Sequence, residues 1–134
     1  MLGTCRHYPF DARCVVDRLK KQGITQLYLV GGCHSINQLN SIHEVIKEQN
    51  LQIQLIGIPS SIDNDIPFVD KSFGFETAIA ESIPFINAAN VEAEGAEYGV
   101  GIVRIMGMHC GWIALSACLA SRDVNICIVP ELSF

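Results

Sequence analysis

The stretch LQIQLIGIPSSIDNDIPFVDKSFGF, residues 51–75, sets an apolar run against an acidic loop. LQIQLIGI, 51–58, reads as a buried strand. Three carboxylates follow it within eight positions: Asp63, Asp65 and Asp70. A buried charge is costly unless it is paired or coordinates a metal, so acidic groups at such a strand end call for a functional reading. Asp63 and Asp65 alternate, and in an extended loop they project to the same side. Two carboxylates so placed repel unless a cation or a proton lies between them. Ser60 and Ser61 add hydroxyls. Two readings stand at this point. One carboxylate acts as general base toward a hydroxyl while the other works through a metal. Alternatively, the loop is Asx-turn chemistry, in which Asp and Asn side chains bond nearby backbone.

Outward from this stretch the chain alternates helical and strand-like segments. ARCVVDRLKKQ, 12–22, places Val15, Val16 and Leu19 on one helical face, and Gly23 stops the helix. ITQLYLV, 24–30, is a short buried strand. Ser35 is positioned to cap a helix running to about Asn50, with Ile36, Leu39, Ile42 and Ile46 as its apolar stripe. After the acidic loop, Phe73 to about Glu97 reads as helical, with a kink or break expected at Pro84. YGVGIVRIMG, 98–107, reads as a third strand, GWIALSACLAS, 111–121, as an apolar helix, and NICIVP, 125–130, as a fourth strand. The strands are expected near 25–30, 53–57, 99–105 and 125–129. Apolar strands separated by helices imply an α/β fold, a parallel sheet covered by helices on both faces. At 134 residues one domain is expected, spanning 1–134.

Composition narrows the class. The hydrophobic fraction is 49% and the net charge −5, with a pI near 5.2 and a mean hydropathy of +0.30. These values predict a real core and no nucleic-acid surface, since no basic block or stripe occurs. No apolar run reaches the ~20 residues of a membrane helix, and MLGTCRHYPF lacks the pattern of a signal peptide. Six cysteines, at 5, 14, 33, 110, 118 and 127, contain no C-x-x-C pair. They are expected to be reduced and mostly buried, in a cytoplasmic protein.

In parallel sheets of this kind ligands bind beyond the carboxyl ends of the strands. The loops of interest are therefore GGCHS (31–35), PSSIDND (59–65) and GMHCGW (107–112). GGCHS places two glycines before a helix start, a geometry that lets backbone amides approach an anion. It lacks the further glycines and the lysine of a P-loop. His34 reads as a loop residue, Trp112 as core or cleft wall, and Glu92, Glu94 and Glu97 as a solvated helix face.

GIPSSIDNDIPFVDKSFGFETA, with IVRIMG and CIVPE downstream, resembles the phosphofructokinase family, most closely its plant-type ATP-dependent members. The resemblance runs from about residue 3 to residue 131 and implies a partial phosphofructokinase subunit. It implies the glycolytic reaction of ATP with fructose 6-phosphate to give fructose 1,6-bisphosphate, with magnesium and ATP as cofactors and a homo- or hetero-oligomer as the assembly. Asp63 then matches the catalytic base that takes the proton from the sugar-phosphate hydroxyl. Ser61 stands where Thr usually supports the transferred phosphoryl group. Ser61, Ile62 and Asp63, with Met106, Gly107 and Met108, fall at substrate-binding positions. Arg6, Gly31, Gly32 and Ser35 fall at nucleotide-binding positions, and Asp65 at a metal-binding one. Phosphoryl transfer needs mainly positioning and charge neutralisation, which suits such a loop.

The departures are equally specific. The family's Gly-Gly-Asp-Gly nucleotide loop reads Gly31-Gly32-Cys33-His34, so the metal-binding Asp is Cys33 here. A neutral thiol is a poor ligand for magnesium, which prefers hard oxygen donors. The family's Met-Gly-Arg reads Met106-Gly107-Met108, and the Arg that grips the sugar phosphate is gone. Ser-Arg-Gly-Gly reads Cys5-Arg6-His7-Tyr8. Ser60 replaces the Lys or Gly usual before the hydroxyl residue, which disfavours a pyrophosphate-dependent phosphotransferase. The sequence thus leaves two expectations: a phosphotransferase fragment of the family, or a catalytically inactive paralogue or truncated remnant that serves as a non-catalytic subunit or does not act at all.

Overall fold

A computed structural model describes residues 9–107 and 109–133. Among them the chain forms α1 (Ala12–Lys21), β1 (Gln26–Gly31), α2 (Cys33–Glu48), β2 (Gln54–Pro59), α3 (Phe75–Glu94) and α4 (Trp112–Ser121). They belong to two compact units, Met1–Ile58 and Pro59–Phe134. Arg6 and Met108, two of the predicted site residues, lie outside the described residues, as does Cys5.

In the first unit, Asp11 starts α1. Its carboxylate accepts from the backbone N–H of Arg13 at 2.9 Å and of Cys14 at 3.4 Å, which satisfies donors that no helical carbonyl can reach. Arg18, Lys20 and Lys21 occupy the last turn, where positive charge suits the helix dipole. Gly23 ends the segment at φ +65°, a left-handed conformation that glycine adopts without strain. β1 and β2 pair in parallel, and α2 supplies the crossover that parallel neighbours require. Val16, Ile42, Val45 and Ile46 form the core, with Leu27 and Leu55 packed on it from the sheet. Gly57 lets α2 lie close on the sheet. A Cβ there would come within 3.0 Å of Ile36 and 3.1 Å of Leu39. Strand alternation turns Tyr28 and Val30 to the other side, where they are 54% and 61% exposed.

The expected helix cap differs. α2 begins at Cys33 with Gly32 as its N-cap and no capping side chain. Ser35 therefore lies in the first turn rather than before it. The Ile36 N–H reaches the Gly32 carbonyl at 3.1 Å, so the helical ladder already includes the glycine.

The second unit packs α3 against α4, with Phe75, Ile86, Ile113 and Ala117 buried. Of the kink or break expected at Pro84, the break does not occur: α3 runs through it as one helix. Proline removes a single ladder donor, and the packing of α3 on α4 outweighs that loss. Residues 99–105 and 125–129 are not strands, contrary to expectation. A strand exists through hydrogen bonds to a neighbour, and 99–105 instead runs along α3. A Cβ on Gly101 would fall 2.7 Å from the Ala89 carbonyl oxygen. The alternation survives without the ladder. Val100 and Ile102 point outward, as do Ile126 and Ile128, while Val129 is buried.

Trp112 is 55% exposed, so it is not core. It opens α4, whose buried face is set by Ile113 and Ala117 at i, i+4 spacing, and Trp112 lies off that face. The described cysteines are free thiols. Cys14 is exposed and Cys33, Cys110, Cys118 and Cys127 are half-buried, less buried than expected. Burial, helped by the neighbouring Cys127 thiol, pushes the Cys118 thiol up to about 11.

Each unit has its own core, so a cavity in either should be felt. Ile42→Ala and Ile113→Ala are each expected to cost ~2–4 kcal/mol in urea unfolding. Leu119→Ala, at a position 79% exposed, should stay within ~0.5 kcal/mol.

Candidate active-site loop

The acidic loop is a closed structure in its own right. Its two ends meet at a neck, where Ser60 bridges Phe73 in parallel register and the Phe73 N–H donates to the Pro59 carbonyl at 3.1 Å. Between these ends the chain folds into a compact loop around Ile66 and Ser72, which are 9% and 5% exposed.

Asn64 organises the interior. Its backbone is left-handed, at φ +54°, a region Asn tolerates better than most residues. Its side-chain oxygen accepts from the Ser72 N–H at 2.8 Å and from the Ser72 hydroxyl at 3.2 Å. Its amide nitrogen donates to the Asp70 carbonyl at 3.0 Å. The Ser72 hydroxyl also bonds the Ser61 carbonyl. One side chain therefore ties both arms of the loop together.

Asp63 sits next to this hub and is half-buried. Its N–H donates to the Ser61 hydroxyl at 3.2 Å. Its carbonyl accepts from the Cys110 thiol at 3.0 Å. Among the described residues no hydrogen bond engages its carboxylate. The main chain is held on both sides. Asp65 is exposed, with the Ser61 hydroxyl at 3.5 Å from its carboxylate. Ile62 packs near Gly74, where a Cβ would come within 3.4 Å of its side chain. The Asx-type bonding of this loop belongs to the Asn64 amide and not to the Asp63 carboxylate.

Gly107 and Cys110 come to the same place. Gly107 has φ +120°, and a Cβ there would lie 3.8 Å from the Asp63 carboxylate. Met106 beside it is 68% exposed. The Gly111 N–H donates to the Glu131 carboxylate at 2.7 Å, placing a negative charge at the start of α4. Burial pushes the Cys110 thiol up. A hydrogen bond from the Trp112 backbone opposes this, and the Glu131, Asp63 and Asp65 carboxylates add to it. The Lys71–Glu76 pair at the loop's far arm is exposed and raises the Lys71 ammonium pKa through its hydrogen bond and charge. Pairs of this kind contribute little to stability.

Three of the predicted nucleotide residues, Gly31, Gly32 and Ser35, cluster in the first unit. Gly31 ends β1, Gly32 caps α2, and Ser35 stands in the first turn. A side chain on Gly31 would overlap the Ser35 hydroxyl. The first N–H groups of α2 have no side-chain cap, an arrangement that suits an anion. Cys33 opens the helix, and the His34 ring lies 3.3 Å from the Gln38 amide nitrogen.

Sequence reasoning singled out Ser61, Ile62, Asp63, Asp65, Met106 and Gly107, and the fold brings Asp63 together with Ser61 and Gly107. It did not single out Asn64, Ser72 or Cys110. An Asn flanked by two Asp residues, with a Ser eight positions on, is a signal for a cross-loop Asx bond. Among the described residues no group of three or more His, Cys, Asp or Glu side chains forms a protein-only metal site.

Asn64→Ala should cost ~1–3 kcal/mol, because it leaves the nearly buried Ser72 N–H without its acceptor. Amide hydrogen exchange should then quicken at Ser72 and leave Ile42, in the other unit, unchanged.

The phosphofructokinase family model matches residues 1–134. ATP-dependent 6-phosphofructokinase 7 of Arabidopsis thaliana is 46% identical over 134 residues, all of this chain and 27% of its own length. ATP-dependent 6-phosphofructokinase of Borreliella burgdorferi is 42% identical over 120 residues, 90% of this chain and 27% of its own length. A crystal structure of a pyrophosphate-dependent phosphofructokinase from Marinobacter aquaeolei is similar in fold. Its TM-score is 0.65 at 24% identity, over 88% of this chain and 31% of that one. The chain thus spans about a quarter of the length of the curated relatives it matches. With its apolar strand closed by the IDND loop and the family model matched from end to end, the chain belongs to the phosphofructokinase family.

Proposed function

We propose that this chain is the base-bearing portion of an ATP-dependent 6-phosphofructokinase, a glycolytic kinase acting on fructose 6-phosphate in the cytoplasm. The observation that carries the reading is Asp63, whose main chain is fastened on both sides while no hydrogen bond among the described residues engages its carboxylate. In this role the Asp63 carboxylate takes the proton of the sugar-phosphate 1-hydroxyl. The hydroxyl oxygen bonds to the terminal phosphorus of ATP, the bond to ADP breaks, and fructose 1,6-bisphosphate leaves. A base of this kind works only within hydrogen-bond reach of the hydroxyl, so its fixed backbone matters more than its intrinsic strength.

Ser61 supports the transferred group through its hydroxyl, and Ile62 with Met106, Gly107 and Met108 borders the sugar phosphate. Gly31, Gly32 and Ser35, with Arg6, receive the nucleotide phosphates, where the uncapped start of α2 offers backbone donors. Magnesium takes one or two carboxylates and completes its shell with water and substrate phosphates. Asp65, exposed beside Ser61, fits that minimum, so the ion would arrive with ATP and neutralise phosphate charge there. Association into a homo- or hetero-oligomer is part of the same reading. It is supported by Val100, Ile102, Ile126 and Ile128, which are 81%, 88%, 78% and 64% exposed.

A specific observation favours a second reading, a non-catalytic paralogue. Cys33 and His34 open α2 where the family carries Asp and Gly, and Met108 replaces the phosphate-gripping Arg. Loss of one transition-state contact of this type costs ~10²–10³ in rate. Two such losses together remove more than ~10⁴-fold if they act independently.

A coupled assay with ATP, magnesium and fructose 6-phosphate separates the readings. The unaltered chain is expected to show negligible turnover, against ~1–100 s⁻¹ for ordinary kinases. A Cys33→Asp, His34→Gly, Met108→Arg triple variant, completed by the remaining portion of a relative, should gain activity, and adding Asp63→Asn should abolish it. Activity that survives Asp63→Asn would remove the base assignment. Ordinary turnover in the unaltered chain would remove the non-catalytic reading. Light scattering on the same samples should report a species larger than the monomer, and a sharp monomer peak would count against association.

A further inference from the structure

We propose that Cys110 is a positioning residue for Asp63, acting through the bond from its thiol to the Asp63 main-chain oxygen; this rests on Asp63 being the base. Three observations support it. The Cys110 Sγ lies 3.0 Å from the Asp63 carbonyl oxygen, across 47 residues of chain, so it is a tertiary link rather than a local turn contact. The peptide on the other side of Asp63 is held by the Ser61 hydroxyl at 3.2 Å. The two bonds together fix both peptide planes flanking the residue, and these planes set where its Cβ points. Cys110 is itself held in place by its flanks. Gly107 turns at φ +120°, and a Cβ there would meet the Cys110 carbonyl oxygen at 2.5 Å. Gly111 is fastened to Glu131 at 2.7 Å, and a Cβ on it would lie 2.6 Å from the Val129 side chain. The thiol is thus flanked by two closely packed glycines.

A thiol is a weak donor, which argues for a directing role rather than a large contribution to stability. The link also joins the two loops that the proposed reaction uses. The 107–111 segment borders the sugar phosphate and the 59–73 loop carries the base, so a bond between them fixes the base relative to its substrate. A hydroxyl at position 110 has the donor needed to do the same, and a methyl group does not.

The test compares the full chain with Cys110→Ser and Cys110→Ala by NMR, with selective carbon labelling of aspartate. The expected result is that Cys110→Ala shifts the Asp63 carbonyl resonance and converts its χ1 couplings from one dominant rotamer to an average. Cys110→Ser should keep both close to the unaltered values. The urea midpoint of both variants should remain near that of the unaltered chain. An unchanged Asp63 carbonyl and unchanged couplings in Cys110→Ala would overturn the proposal, as would a Ser variant that behaves like the Ala one. Should neither variant fold, the S–H stretching frequency decides the matter in the unaltered chain. It should be lower for Cys110 than for exposed Cys14, and equality would overturn the proposal. None of these readouts depends on turnover, so a chain inactive for other reasons leaves the test intact, and loss of the base assignment shows instead in the Asp63→Asn assay.

Discussion

The side chain of Asn64 is the contact on which the acidic loop depends. It accepts two hydrogen bonds from Ser72 and donates one to the Asp70 carbonyl. Its own left-handed backbone turns the chain so that Asp63 and Asp65 fall on either side of the fastening point. Removing these bonds strands a nearly buried N–H and frees both arms of a fifteen-residue loop, 59–73. The neck at Ser60 and Phe73 closes the loop, but the hub gives its interior one arrangement. This division of labour lets a strongly acidic segment be both ordered and chemically available. An amide does the structural bonding, so a carboxylate is left over.

The same economy appears around Cys110. Gly107 packs on the Cys110 carbonyl, Glu131 fastens Gly111, and the thiol between them meets Asp63. Preorganisation of this type matters in phosphoryl transfer, where the protein supplies position and charge more than covalent chemistry. Yet the loops assigned to phosphate in the proposed reading have diverged from the family pattern. Cys33 and His34 open α2, and Met108 follows Gly107, while the base loop keeps its pattern. On the proposed reading the chain combines a base-bearing loop that keeps the family pattern with altered residues at the phosphate-contact positions.

Much of this was legible in the sequence because it is local. α1, β1, α2 and β2 follow from periodic apolar residues and from Gly23, and the acidic loop's place at the end of β2 follows from the run 51–58. What the sequence hid was non-local. Residues 99–105 and 125–129 carry the strand alternation, but alternation reports faces and not partners, and here the partner is a helix or nothing. Pro84 signals a break only where packing does not override it, and α3 is packed on α4. Trp112 looks like core by size, but its register on α4 turns it outward, while Ile113 one position later is fully buried. The resemblance singled out Asp63, Ser61 and Gly107, and the fold brings them together. Cys110 was not singled out, since a thiol beside a glycine gives no sign of a carbonyl 47 residues away.

The central claim is that the loop from Ser60 to Phe73 is a rigid platform presenting Asp63. Backbone ¹⁵N order parameters across 60–73 in the full chain test it most directly. The account predicts values near ~0.85 at residues 61–65 and 72, equal to those in α2 and α3. Values below ~0.6 at Asp63 and Asn64 would contradict it, because a base on a moving loop has no fixed relation to its substrate.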